Sequence, residues 1–229
     1  MAIVTHQVTI HKERLDSDYV PVRAIQGVRG DILKLESNLE TQSKLVVVLG
    51  NRGQGKTSTV MRLSENIHNK TNKRVYILGY ADVSLPPYFI KIKDINDAKD
   101  DGVVIIDEAQ MVFSSRRSQS NNNLDIRNIV SVSRKKNLTI FFISHFSKAL
   151  DIDLFGYTDV FVLKYREELQ LERERKEVRK LYDKAMSYFK DIPEEDRKKY
   201  AYIYTDELFE GFVKIDKASF WTEEISRSF

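Results

Sequence analysis

The stretch Gly50-Asn51-Arg52-Gly53-Gln54-Gly55-Lys56-Thr57-Ser58 sets glycines, a lysine and two hydroxyls in the spacing G-x-x-x-x-G-K-T. Glycines remove Cβ atoms, so backbone N–H groups can close around an anion. A helix starting at the loop's end would aim its positive pole at the same anion. Lys56 supplies a mobile point charge, and the Thr57 hydroxyl is a ligand for a hard cation such as Mg²⁺. Residues 50–58 therefore read as a cradle for the phosphates of a nucleotide. A second pair, Asp107-Glu108, ends the apolar run Val103-Val-Ile-Ile. Asp107 can hold Mg²⁺ through its water shell, and Glu108 can orient and deprotonate a water for attack on a terminal phosphate. A kinase must exclude water, so a placed base argues for hydrolysis. The ordinary alternatives, a glycine turn and an Asp-Glu helix cap, lose weight when both features occur in one chain.

Both pairs of features need rigid elements behind them. The apolar run Leu45–Leu49 leads into the glycine loop, and Val60, Leu63 and Ile67 lead out at helical spacing. Arg74–Leu78, Val103–Asp107, Thr139–Ser144 and Asp159–Leu163 read as further strands, the last three continuous enough to be buried on both faces. Tyr88–Ile92, behind Pro86-Pro87, reads as a short edge strand. Ile126, Ile129 and Val130 have helical spacing, and Asp31 opens a helix carrying Ile32, Leu35 and Leu39. Val4–Ile10 alternates as a strand would. Strands alternating with helices predict an α/β fold with a parallel, doubly wound sheet. Such sheets bind ligands at the carboxyl ends of their strands, so the glycine loop and Asp107 should share one crevice.

The chain divides into a lead-in over residues 1–43, a core over 44–165, and a C-terminal region over 166–229 packed on the core. Most residues from Arg166 to Lys180 are charged, and Val178, Leu181, Ala185, Tyr188 and Phe189 follow at apolar positions. This predicts one long helix, solvated first and anchored later, with exposed pairs such as Glu172 with Lys176. Tyr200–Tyr204 and Gly211–Ile215 read as a terminal β-pair, while Ser219–Phe229 shows aromatics but no pattern. Of 229 residues, 41% are apolar and 31% charged, the balance of a globular chain. A net charge of +3 leaves any basic surface to be a local one. The absence of cysteine excludes a disulfide framework and a thiolate metal site. No charged start followed by an apolar run is visible, and no run approaches the ~20 apolar residues of a membrane span. The expectation is a chain with neither signal peptide nor transmembrane segment.

A glycine loop, one intervening strand, an Asp-Glu strand and a further strand with a polar end resemble the P-loop ATPases that carry a catalytic glutamate. That resemblance implies a three-layer fold with strand order 5-1-4-3-2, the five strands starting near residues 45, 74, 103, 139 and 159. The C-terminal helix and small β-pair would be additions. More narrowly, Asp107-Glu-Ala-Gln, the Ser-Ser-Arg-Arg-Ser that follows, and Ser133-Arg-Lys-Lys-Asn-Leu-Thr-Ile-Phe-Phe-Ile-Ser-His145 resemble the FtsK–HerA superfamily. Within it the chain is most similar to the small genome-packaging ATPases of membrane-containing archaeal and bacterial viruses. Members commonly end the sensor strand in Gln; Ser144 and His145 stand there instead. Either can sense the γ-phosphate, His145 by donating from a neutral ring.

Guanine specificity usually needs N-K-x-D after an apolar strand. The nearest string, Asn69-Lys-Thr-Asn72, lacks the acid and precedes a strand, so ATP with Mg²⁺ is expected. A hydrolysing site of this kind often takes an arginine from a neighbouring subunit. Arg134, just before the Thr139 strand, falls at the wrong edge of the sheet for its own nucleotide and predicts a ring, hexameric by the resemblance. Arg127, Arg116 and Arg117 are rivals. Arg116 and Arg117 lie in the polar Ser114–Asn123 loop, which in a ring could track phosphates of double-stranded DNA without reading bases. These features imply a DNA translocase pumping a viral genome in the host cytoplasm, docking on a capsid vertex or viral membrane protein. Plasmid or conjugative transfer, virion extrusion, and a nucleotide-gated assembly switch are the alternatives.

Overall fold

The computed structural model describes residues 19–78, 83–107 and 126–229. In chain order its elements are β1 (Arg23–Gly30), α1 (Ile32–Thr41), β2 (Leu45–Leu49), α2 (Lys56–Thr71), β3 (Val75–Leu78), β4 (Phe89–Ile92), β5 (Val103–Ile106) and α3 (Ile126–Lys135). They continue with β6 (Thr139–Ser144), α4 (Ile152–Tyr157), β7 (Val160–Leu163), α5 (Glu168–Leu171), α6 (Lys176–Phe189), β8 (Tyr200–Tyr204), β9 (Phe209–Lys214) and α7 (Glu223–Ser228). All nine strands form one sheet in the order β1-β9-β8-β7-β2-β6-β5-β3-β4.

The middle of that sheet, β7-β2-β6-β5-β3, is parallel throughout and has the 5-1-4-3-2 order. The full sheet exceeds the five-strand expectation at both edges. β4 adds in parallel beside β3, and β8, β9 and β1 add antiparallel beside β7. The terminal β-pair therefore continues the main sheet. β1 escapes sequence pattern because its residues are exposed along its whole length. It is held by backbone pairing to β9 and by Arg29, whose guanidinium donates to the carbonyls of Thr205, at 2.7 Å, and Asp206.

The continuous apolar strands are continuous because both faces are covered. Val46 and Val48 of β2 turn toward a core that includes Val60, Leu63 and Ile67 of α2 and Leu35 and Leu39 of α1. Leu45, Val47 and Leu49 turn the other way, toward Ile126, Ile129 and Val130 of α3 and Val178, Tyr182, Ala185 and Phe189 of α6. Each Val, Leu, Ile or Phe side chain so buried contributes about 1.5–3 kcal/mol relative to exposure. Asp31 caps α1 by accepting from the Leu33 amide at 2.9 Å.

The charged stretch after β7 is not one solvated helix. It forms α5, a break, and α6, and its first residue, Arg166, is fully buried. Arg166 pairs with Glu174 at 2.7 Å, both side chains at 0% exposure, and also donates to the His145 carbonyl. Glu174 accepts from the Ser147 amide at 2.8 Å, and the Arg175 amide donates to the Ser147 hydroxyl at 2.8 Å. These bonds hold the loop after β6 and stop the helix from running through. Val4–Ile10 lies outside the described residues. Among the described residues no helix is long and apolar enough to cross a membrane.

Candidate phosphate-binding site

The parallel register sets Leu49 of β2 opposite Ser144 of β6 and Leu163 of β7, so the residues following all three strands meet at one sheet edge. Ile106 of β5 lies one strand further over, beside Phe142, and delivers Asp107 to the same edge. A cleft of about 780 Å³ opens there, lined by Arg52, Gly53, Gly55, Lys56, Thr57, Ser58, Asp107 and His145. That volume is within the ~300–1,000 Å³ of small-molecule sites. A separate cavity of about 470 Å³ beside β3 and β4, lined by Ile77, Leu85, Phe89 and Lys91, gathers no comparable set of charges.

The loop is shaped by close approaches as well as by turns. An added Cβ at Gly50 would lie 2.5 Å from the Lys164 Cβ, and one at Gly55 would lie 2.8 Å from the Lys198 carbonyl oxygen. Gly55, at φ +74°, is the N-cap of α2 and has no side chain to close that end, so the helix's first turn faces the cleft. The Asn51 amide donates to the Tyr165 carbonyl at 3.3 Å, tying the loop to the end of β7.

Lys56 is buried, with Nζ donating to the carbonyls of Gly50, at 3.1 Å, and Asn51, at 3.0 Å. The His145 Nδ1 lies 3.0 Å from the same ammonium. An ammonium can only donate, so Nδ1 accepts and the ring proton belongs on Nε2. Ser144 is placed differently. Its hydroxyl donates to the Phe146 carbonyl at 3.1 Å and it is buried behind the strand end.

The Thr57 hydroxyl donates to Asp107 Oδ2 at 2.8 Å. Among the described residues no group of three or more His, Cys, Asp or Glu side chains comes together as a metal cage. One hydroxyl and one carboxylate suit Mg²⁺, which keeps several waters and completes its octahedron with substrate phosphates. Thr57 would hold it directly and Asp107 through water.

Arg134 is exposed in the last turn of α3, at the edge where β6 begins. About 17–20 Å of strand separates that edge from the cleft. Arg127 faces Asp153 at 3.7 Å in an exposed pair. Glu108, Arg116 and Arg117 lie outside the described residues.

Sequence reasoning missed Lys164, Arg166, Lys198, Lys199, Lys217, Trp221 and Phe229. Lys164 and Arg166 carried a usable signal, since each follows a buried parallel strand as Asp107 and His145 do. Lys164 is fully buried, and its Nζ donates to the Thr59 hydroxyl at 3.1 Å and the Lys198 carbonyl at 2.8 Å. Burial pushes its pKa down to about 7, with the charge of Lys56 adding to the shift. Between pH 7 and about 10 the unfolded chain holds this proton and the folded chain does not. This group therefore makes the fold more stable as pH rises through that window, by at most about 1.4 kcal/mol per pH unit. Urea unfolding at pH 7 and 9 should show that rise, and Lys164→Met should flatten it. An equal rise in the variant would assign the effect elsewhere.

No family model matches the chain, and no curated protein matches it. Solved structures do. The DNA-packaging ATPase from Sulfolobus Turreted Icosahedral Virus aligns with TM-score 0.55 at 15% identity, covering 77% of this chain and 99% of that one. The genome packaging NTPase from Sulfolobus turreted icosahedral virus 2, solved with ATP-γS, aligns with TM-score 0.52 at 16% identity over 78% and 99%. The pCW3 conjugation coupling protein TcpA, solved as a monomer with ATPγS, aligns with TM-score 0.55 at 12% identity over 93% and 71%. At these identities the likeness shows a shared fold, an α/β fold with a largely parallel sheet. Residues 50–58 follow β2 at the carboxyl edge of its parallel strands, the edge where α/β sheets take their ligands.

Proposed function

We propose that this P-loop protein is an ATPase that moves double-stranded DNA as a homo-oligomeric ring, its load being a viral genome entering a capsid. The observation that carries the proposal is the contact between Thr57 and Asp107 beside the open N-terminus of α2, with Lys56 and His145 converging on the same cleft. The structural likeness to a DNA-packaging ATPase supports the load. Bound Mg²⁺ would neutralise charge on the β- and γ-phosphates. Lys56 and the first turn of α2 hold the phosphate chain. His145 donates from Nε2 toward the γ-phosphate, a role its position favours over Ser144. Glu108, next to Asp107, takes a proton from a water whose oxygen attacks the γ-phosphorus as the bond to ADP breaks. Arg134 of one subunit neutralises charge in a neighbour's site, and Arg116 and Arg117 track DNA phosphates.

The test is ATPase activity of the assembled protein with Mg²⁺, with and without double-stranded DNA. DNA should raise turnover, and Glu108→Gln should lower it about 100- to 1,000-fold while ATP binding persists. In mixed assemblies of Glu108→Gln and Arg134→Ala subunits, some interfaces should regain activity. Wild-type turnover in Arg134→Ala alone would remove that residue from the mechanism, and no turnover with DNA would sink the proposal. Conjugative transfer is the second reading, favoured by the likeness to TcpA across most of this chain. It uses the same engine, and transfer assays with a plasmid substrate separate it from packaging.

A further inference from the structure

Residues 217–229 form a wall of the P-loop cleft, and that wall is fastened to α2 itself. Arg62 and Glu65, both buried on α2, pair at 2.8 Å. Arg62 Nε donates to the Lys217 carbonyl at 2.9 Å, and Glu65 accepts from the Ser219 amide at 3.0 Å. A buried ion pair adds little net stability over an apolar packing. Its effect here is positional, fixing the backbone that leads to Trp221. The Trp221 amide then donates to the Ala218 carbonyl at 3.0 Å, and Thr222 caps α7 by accepting from the Ile225 amide at 3.2 Å. Ile225 is buried, which seats α7 and brings Phe229 back onto Trp221, ring centroids 5.9 Å apart and 28° from parallel. Trp221 and Phe229 line the same cleft as Lys56 and Thr57.

Most of the remaining side chains in the cleft are charged or polar, with Ile215 the aliphatic exception. Lys198, Lys199, Lys217 and Arg227 line it with Asp107 and Glu195, chemistry suited to phosphates and a metal. The aromatic pair is the part of the lining with a flat apolar face. We infer that Trp221, backed by Phe229, is the stacking surface for the nucleotide base, so that the C-terminal segment binds the base while residues 50–58 bind the phosphates. This rests on reading the cleft as an ATP site. A base carries its own π-face and extends the existing stack, and such stacking needs no hydrogen bonds to the base edge. Because Lys217 and Ser219 hang from Arg62 and Glu65, in the middle of α2, the wall is anchored to the same helix whose N-terminus meets the phosphate cradle.

Trp221 is the chain's single tryptophan, so its emission reports this surface alone. Titration of the full chain with ATP should change that emission saturably, while inorganic tripolyphosphate, which has no base, should bind without changing it. By calorimetry, Trp221→Ala should weaken ATP about tenfold and leave tripolyphosphate affinity unaltered, which also shows that the variant is folded. Trp221→Phe, which keeps a ring, should restore most of the affinity. ATP binding with no change in emission, or equal weakening of ATP and tripolyphosphate by Trp221→Ala, would overturn the inference while leaving the ATPase reading intact. Absence of ATP binding by the wild-type chain with Mg²⁺ present would instead overturn the ATPase reading itself.

Discussion

Lys56→Ala is expected to lower ATP turnover about 1,000-fold or more, measured as single-turnover hydrolysis at saturating Mg²⁺ and ATP. The size follows from how few groups do the electrostatic work. The ammonium is buried, its donors reach the Gly50 and Asn51 carbonyls and His145, and it sits inside the loop whose backbone faces the cleft. A water-excluded cation is worth far more to a developing phosphoryl charge than one in solvent. Lys56→Arg should not rescue, because a planar guanidinium cannot replace a compact point charge within the two loop carbonyls. A loss below tenfold in a variant with wild-type melting behaviour would mean that the first turn of α2 alone holds the phosphates. The same variant separates chemistry from shape. The close approaches of Gly50 to Lys164 and of Gly55 to Lys198 do not involve the Lys56 side chain, so the loop should keep its form when the charge is gone.

The glycine loop was legible because its chemistry is local. Spacing, glycine content and the flanking apolar runs all lie within one stretch, and the parallel core followed from strands buried on both faces, such as Val103–Ile106. What escaped depends on contacts distant in sequence. β1 exposes every residue and owes its existence to β9, far along the chain. Trp221 and Phe229 lack periodicity because their positions are set by Arg62 and Glu65 rather than by a repeating face. The charged run misled for a physical reason. Charge density normally marks a solvated helix, yet Arg166 and Glu174 neutralise each other, and a pattern of residue types does not distinguish a buried pair from two exposed ions. The position of Arg166 just past β7 was the better clue, since side chains there face a crowded strand end.

Glu174→Ala is expected to destabilise the fold by about 3–5 kcal/mol, read as the unfolding free energy in urea. The loss comes from what remains. The Arg166 guanidinium would stay fully buried between the rings of Phe146 and Tyr182, at 5.1 and 5.3 Å, with its carboxylate partner gone. The Ser147 amide would lose its acceptor as well. Arg166→Met should cost less than Glu174→Ala, and the double variant Arg166→Met/Glu174→Met should recover much of the stability, since replacing both members of a buried pair by apolar groups is often neutral. Turnover should not recover with it. Arg166 also donates to the His145 carbonyl, and His145 presents its ring to Lys56, so the pair positions the segment that follows β6. A double variant that folds as firmly as the wild type yet hydrolyses ATP about tenfold more slowly would separate the two roles. If stability and turnover instead return together, the pair is packing alone, and the ring of His145 is held by its contact with Lys56.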